Sequence, residues 1–295
     1  LFGPRQQVIA ELSRLPQPLA AAASRLVVRD APDSVMPSAT AAWALRRGHA
    51  TSMARMLQSI AAGEAAAGVS AGNTAALVAL ARRELGLVEN ISRPAISTAI
   101  PSRQGHRCYL LDLGANVDSP ASRLVDFAFM GAAMAQCIDG IAVPRVALLN
   151  VGAEATKGCD SVREADRLLR QYSADTTFAY QGYAEGGDLF KGQLDVVVCD
   201  GFVGNAVLKA SEGLTSMLVE RVQMAFESRL SGRLASLLAK PVLKRLKQEL
   251  DPVRYNGASL LGLRGIVVKS HGGAHANGFF YAIQRALQEV EHNLP

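Results

Sequence analysis

The sequence predicts an α/β fold, a largely parallel sheet covered by helices on both faces. Short apolar runs that end in glycine or polar residues recur along the 295 residues, and amphipathic stretches separate most of them. Buried strands alternating with helical periods are what crossover-connected parallel strands require. With 49% hydrophobic residues the chain can bury a large core. One α/β unit is therefore expected over residues 1–295, with a helical insertion at about 213–256.

In chain order, "LFGPRQQVIAEL" reads as the end of a strand followed directly by a helix, so a further segment is expected before Leu1. Five strand-and-turn strings follow: "AAAGVSAGN" (65–73), "CYLLDLGAN" (108–116), "RVALLNVGAE" (145–154), "DVVVCDGFVGN" (195–205) and "LRGIVVKSHGG" (263–273). "TAALVALARREL" (74–85) and "DSVREADRLLRQY" (160–172) have helical periodicity. In parallel sheets ligands bind beyond the carboxyl ends of the strands, so the five turns are expected to converge on one edge. Each turn combines small residues with Asn, Asp, Lys or His. Glycine allows a phosphate or carbonyl oxygen close to the backbone, and helix N-termini attract anions. The plainer alternative is that glycine makes tight turns and Asn or Asp caps the next helix.

The stretch "RLSGRLASLLAKPVLKRLKQ" (229–248) departs from this pattern. It carries Arg229, Arg233, Lys240, Lys244, Arg245 and Lys247 without an acidic residue, interleaved with leucines that include Leu237 and Leu238. Gly232 and Pro241 must bend or split the helix. A basic, leucine-rich amphipathic pair suits a membrane interface or an acidic helical protein, and a hairpin packed on a dimer partner is the structural alternative. The net charge of +5 comes without an aromatic-flanked basic stripe, which argues against nucleic acid. The four cysteines, Cys108, Cys137, Cys159 and Cys199, form no CxxC pair, so neither a zinc site nor a disulfide scaffold is expected. No stretch is apolar and long enough for a membrane span.

The chemical groups narrow the reaction. No GxSxG, HExxH, P-loop or GxGxxG string occurs. Cys199 precedes Asp200, whose charge opposes a thiolate, so Cys199 is read as core filling. Lys157, Lys209 and Lys269 lie on or just after predicted strand ends, with Ser270 and His271 beside the last, although Lys209 also reads as an ordinary surface lysine. A cleft of backbone donors, amides and lysines without a nucleophile suits a nucleophile that arrives as an anion, such as inorganic phosphate.

Taken as strings, these turns resemble the PlsX phosphate acyltransferase family. The match rests on "VSAGNTAAL" (69–77), "RPAI" (93–96), "LLDLGANVD" (110–118), "LLNVGAEATKG" (148–158), "EGGDLFKGQLDVVVCDGFVGNAVLKASEGL" (185–214) and "GASLLGLRGIVVKSHGGA" (257–274). The chain departs from the family pattern at Gly48, His49, Ala75, Tyr183 and Gly187, and the family's first strand is expected before Leu1.

The resemblance implies a three-layer α/β/α sandwich similar to isocitrate dehydrogenase and phosphotransacetylase, with a protruding amphipathic helical segment. It implies a homodimer without metal or nucleotide cofactor, cytoplasmic and peripheral to the membrane. Such an enzyme passes a fatty acyl group from acyl carrier protein to inorganic phosphate and feeds a membrane glycerol-phosphate acyltransferase. Lys157, Asn205, Lys269 and His271 are then expected to be catalytic. Ser70, Asn73, Asn116, Asp200, Gly201, Gly204 and Ser270 are expected to bind substrate, with phosphate against the helix starts after Asn73 and Asn205. The basic residues of 229–247, with Leu237 and Leu238, are expected to meet membrane or carrier protein. Two alternatives stay open: an acyl-coenzyme A enzyme of phosphotransacetylase type, and a non-catalytic adaptor.

Overall fold

The run Arg107–Leu111 sets the pattern of the sheet: Cys108 and Leu110 turn into one core, Tyr109 and Leu111 into the other, and all four are fully buried. This is the two-residue period of a strand covered on both faces. The computed structural model describes residues 1–172, 176–227 and 256–295, with Pro241 alone between the last two ranges. The expected contact residues Arg229, Arg233, Leu237, Leu238, Lys240, Lys244, Arg245 and Lys247 lie outside the described residues.

A parallel two-stranded ribbon pairs β1 (Phe2–Gly3) with β2 (Arg29–Asp30), and α1 (Arg5–Ser13) and α2 (Gln17–Ala23) lie between them in sequence. Next come α3 (Ala41–Arg47), α4 (Ser52–Ala61), β3 (Ala67–Ser70), α5 (Thr74–Leu85), β4 (Ala95–Pro101) and β5 (Arg107–Leu111). Then follow α6 (Ala121–Asp139), β6 (Arg145–Leu149), α7 (Asp160–Tyr172), β7 (Ala179–Ala184), β8 (Val196–Val198) and α8 (Gly201–Glu227). The last elements are β9 (Ala258–Leu261), β10 (Ile266–Lys269) and α9 (Ala276–Glu291). The helices expected at 74–85 and 160–172 match α5 and α7 to the residue.

The main sheet has eight strands in the order β3-β10-β9-β4-β5-β8-β6-β7. One core packs Leu57 of α4 and Leu77 and Leu80 of α5 on the sheet residues Ile96, Leu110, Val197 and Val267, with Val207 and Leu208 of α8 against it. The opposite core joins Phe127 and Met134 of α6 and Leu169 of α7 to Leu111, Leu148 and Val198. Ala282 and Ala286 of α9 pack on Val268. The result is the expected α/β/α sandwich.

The expected convergence of all five turns on one edge is not what the sheet does. β9 is antiparallel to both β10 and β4, and β4 is antiparallel to β5. β3, β4 and β10 therefore run one way and β5 to β9 the other. The turns after β5, β6 and β8 share one edge, and those after β3 and β10 share the opposite one. The reversal is set by the antiparallel pairings of β4 and β9; β4 also buries Ser97 and Thr98.

Candidate active site

At the first edge, the turn after β5 is organised by a carboxylate. Asp112 is fully buried, and its Oδ1 accepts from the N–H groups of Ile96 (2.7 Å) and Leu113 (2.8 Å). Its Oδ2 accepts from Asn116 N (2.6 Å) and Asn116 Nδ2 (3.1 Å). Burial pushes the Asp112 carboxyl up, and these donors pull it back. Asn116 Nδ2 also donates to Pro94 O at 2.8 Å, so this amide holds its own loop instead of facing outward.

The turn "CDGFVGN" differs from its sequence-based reading in three ways. First, α8 begins at Gly201, so Asn205 lies one turn inside the helix and not at its start. Second, Asp200 faces neither a lysine nor an open site: its Oδ1 caps α8 at Phe202 N (2.8 Å) and its Oδ2 accepts from Ser119 N (2.9 Å). With Gly201 N donating to Asn116 O at 2.9 Å, two of the first N–H groups of α8 are already engaged. Third, Gly201 and Gly204 serve internal packing. A Cβ at Gly201 would stand 2.7 Å from Asp112 Oδ2, and one at Gly204 would meet Asp112 O and stand 2.8 Å from Cys199 Sγ. The glycines let α8 lie directly on the Asp112 turn.

Seating α8 this way presents Asn205 outward. Its side chain is exposed beside Gly114, and among the described residues its amide makes no hydrogen bond. On the same edge, in the turn after β6, Lys157 pairs with Glu154 at 2.8 Å. That exposed ion pair, with the charge of Glu185 behind it, holds the lysine pKa up. Asn150 Nδ2 fixes the loop by donating to Lys157 O at 3.1 Å. The loops of this edge also expose Val117 (59%) and Val151 (77%), and the first turn of α8 exposes Phe202 (69%) and Val203 (42%). Cys199 lies beneath, in the core, where burial and the charges of Asp112 and Asp200 push its thiol up. Burial pushes the Cys108 thiol up to about 12. Both are poor nucleophiles.

The second edge gathers Ser70, Asn73, Lys269, Ser270 and His271. Asn73 caps α5 through Ala76 N (2.9 Å), while its Nδ2 donates to Pro37 O (2.7 Å) and Ala39 O (3.1 Å). Its amide is therefore used in holding the chain together. Ser70 Oγ accepts from Gly72 N at 3.2 Å, and Ser270 N donates to Ser70 O at 2.9 Å. The Lys269 ammonium donates to Ser270 O; burial lowers its pKa, and the nearby charge of Lys209 lowers it further. His271 is exposed, and its Nδ1 accepts from Gly273 N at 3.1 Å, which leaves Nε2 to carry the ring proton in the neutral form.

The two edges are connected by α8. Asn205 and Lys209 are four residues apart and so share a face of the helix. That face runs from Gly114 to within electrostatic range of Lys269. Lys209, which also pairs with Glu212 at 2.8 Å, thus joins the candidate site although its sequence context resembles a surface lysine. A second residue without a sequence signal is Asn256, which bonds the Ser270–His271 turn. Among the described residues no cluster of three or more His, Cys, Asp or Glu is placed to hold a metal ion, and no helix is long and apolar enough to cross a membrane. The arrangement offers amide and ammonium donors to an anionic oxygen and no activated side-chain nucleophile.

The profile of the family described as "Fatty acid synthesis protein" matches residues 1–295. A phosphate acyltransferase of Stutzerimonas stutzeri (strain A1501) is 52% identical over 272 residues, 92% of this chain and 75% of the relative. One from Alkalilimnicola ehrlichii (strain ATCC BAA-1101 / DSM 17681 / MLHE-1) is 49% identical over 271 residues, 92% of this chain and 78% of the relative. Among solved structures, the EutD phosphotransacetylase from Staphylococcus aureus superposes with a TM-score of 0.61 at 15% identity, covering 98% of this chain and 85% of that one. The branched-chain phosphotransacylase from Enterococcus faecalis V583 gives 0.54 at 15% identity, covering 98% and 97%; at such identities the likeness is one of fold. With half its residues shared with these relatives across nearly its whole length, the chain belongs to the phosphate acyltransferase family of acyltransferases, the PlsX family of fatty acid synthesis.

Proposed function

We propose that this protein transfers a fatty acyl group from the thioester of acyl carrier protein to inorganic phosphate, giving acyl phosphate for phospholipid synthesis. The observation that carries the reading is the first edge, which presents the Asn205 amide, without a hydrogen bond among the described residues, together with Lys157 and exposed Val117, Val151, Phe202 and Val203, while Cys199 is buried in the core. An anionic nucleophile and a donor with an apolar tail match that combination.

In this reading a phosphate oxygen forms a bond to the thioester carbonyl carbon, and the carbonyl oxygen gains charge that the Asn205 amide stabilises. The C–S bond then breaks and the thiolate leaves; a thiol pKa of about 8.5 requires little acid assistance, so His271 Nε2–H acts as a hydrogen-bond donor. Lys157 exchanges Glu154 for phosphate, and Lys209 of α8 and Lys269 at the end of β10 supply the remaining positive charge. Acyl carrier protein is favoured as donor because the family is one of fatty acid synthesis and the stretch 229–247 is strongly basic. The same stretch, with its leucines, suits peripheral contact with an anionic membrane of the cytoplasmic face, where a glycerol-phosphate acyltransferase would take the product. Exposed Leu214, Met217, Leu218 and Val222 follow helical spacing on α8 and suit a homodimer.

The experiment compares acyl carrier protein and acyl-coenzyme A thioesters of one chain length, trapping acyl phosphate as hydroxamate. A kcat/KM higher with the carrier protein supports this reading. A preference for coenzyme A would favour the second reading, suggested by the phosphotransacetylase-like fold. No turnover with either donor would leave the adaptor.

A further inference from the structure

We propose that Asn256 is a positioning residue that sets His271 for the reaction by holding the Ser270–His271 turn; the inference rests on the acyl-transfer reading above. The Asn256 side chain lies between the two limbs that leave β10. On one limb its Nδ2 donates to Ser270 Oγ (2.9 Å), and its Oδ1 accepts from His271 N (2.8 Å). On the other its Nδ2 donates to Gly278 O (2.7 Å), in the first turn of α9. One amide thus makes three bonds and ties the end of the strand to the start of the next helix. The Oγ of Ser270, a fully buried residue, has Asn256 as its donor, while Ser270 N is held by Ser70 O at 2.9 Å. His271 has its own backbone N–H held by Asn256 and its ring Nδ1 held by Gly273 N, so its ring is aimed by bonds at both ends.

An isosteric carboxylate would keep the acceptor for His271 N and lose both donors, placing negative charge against Gly278 O. Asparagine is therefore the residue type this junction needs: two donors and one acceptor on a short planar group. Its effect on catalysis passes through the direction of the His271 ring. Misplacement by about 1 Å costs up to roughly 100-fold in rate.

The test is a cycle of Asn256→Ala, His271→Ala and the double variant in the full chain, with acyl phosphate formation and amide hydrogen exchange at His271 as separate readouts. In Asn256→Ala, exchange at His271 N should accelerate, kcat should fall by about 10- to 100-fold, and the donor KM should stay within about threefold. The double variant should be no slower than His271→Ala alone, because the two act through one group. Unchanged exchange, an unchanged kcat, or losses that multiply in the double variant would each overturn the proposal. If the wild type forms no acyl phosphate, the acyl-transfer reading fails and the positioning role fails with it. The exchange result then reports separately whether the Asn256 clamp exists.

Discussion

Asp200 looks like a ligand-facing carboxylate in sequence and is a structural bracket in the fold. Replacing it by Ala removes the acceptor of Phe202 N (2.8 Å) and Ser119 N (2.9 Å) together. Loss of a helix N-cap costs about 1 kcal/mol. Ser119 is only 4% exposed, so its N–H would lose its partner away from water, at about 1–3 kcal/mol. The sum is about 2–4 kcal/mol, or a Tm lower by roughly 5–10 °C. Asp200→Ser keeps a capping oxygen and loses only the tie to Ser119, so its cost should fall between the wild type and Asp200→Ala. Urea unfolding followed by circular dichroism gives both differences. If Asp200→Ala were within about 0.5 kcal/mol of wild type while the phosphate KM rose roughly tenfold, the bracket assignment would be wrong and the carboxylate would belong to the ligand site.

Three further outcomes are expected. Lys157→Ala should raise the phosphate KM about tenfold or more with unfolding unchanged, and an unchanged KM would remove Lys157 from the phosphate site. Burial pushes the Glu289 carboxyl up, against the pull of Arg285 at 2.9 Å and of Ser259, so the folded state binds its proton more tightly than the unfolded chain. The stability this contributes is present below the unfolded pKa and is lost as pH rises through the folded one. The stability of wild type minus that of Glu289→Gln should accordingly fall as pH rises from about 4.5, and a flat or rising difference would contradict the assignment. Changing Leu237 and Leu238 to Glu should release the protein from anionic vesicles in sedimentation, whereas undiminished pelleting would count against a membrane role for those leucines.

Elements with a complete local signal were legible in the sequence. α5 has its Asn73 cap, a helical apolar period and Gly86 after its last residue; α7 has a sharp amphipathic pattern from Asp160 to Tyr172. The direction of the sheet was not legible, because it is decided by the antiparallel hairpins β4–β5 and β9–β10, which lie outside the strand-then-helix pattern, and by the β4–β9 pairing between strands far apart in sequence. The same limit governs the site. Sequence identifies Asn116, Asp200, Gly201 and Gly204 as unusual, but only packing shows that they serve one another, since Asp200 meets Ser119 across 81 residues. Asn205 stands out in both views for different reasons: as a turn residue in the sequence, and in the fold as an exposed amide without a hydrogen bond among the described residues. Lys209 and Asn256 gain their meaning only from residues brought to them, Lys269 in one case and the Ser270–His271 turn in the other. Cys199 is where burial and neighbouring charge agree with the sequence, which places Asp200 directly after it.

The most direct measurement incubates the protein with an acyl carrier protein thioester and phosphate labelled with 18O at every oxygen, then weighs the product by mass spectrometry. The account predicts acyl phosphate that retains all four labelled oxygens, formed in proportion to phosphate and undiminished in Cys199→Ser. Thioester consumption without acyl phosphate, or an acyl group found covalently on the protein at Cys199, would contradict it.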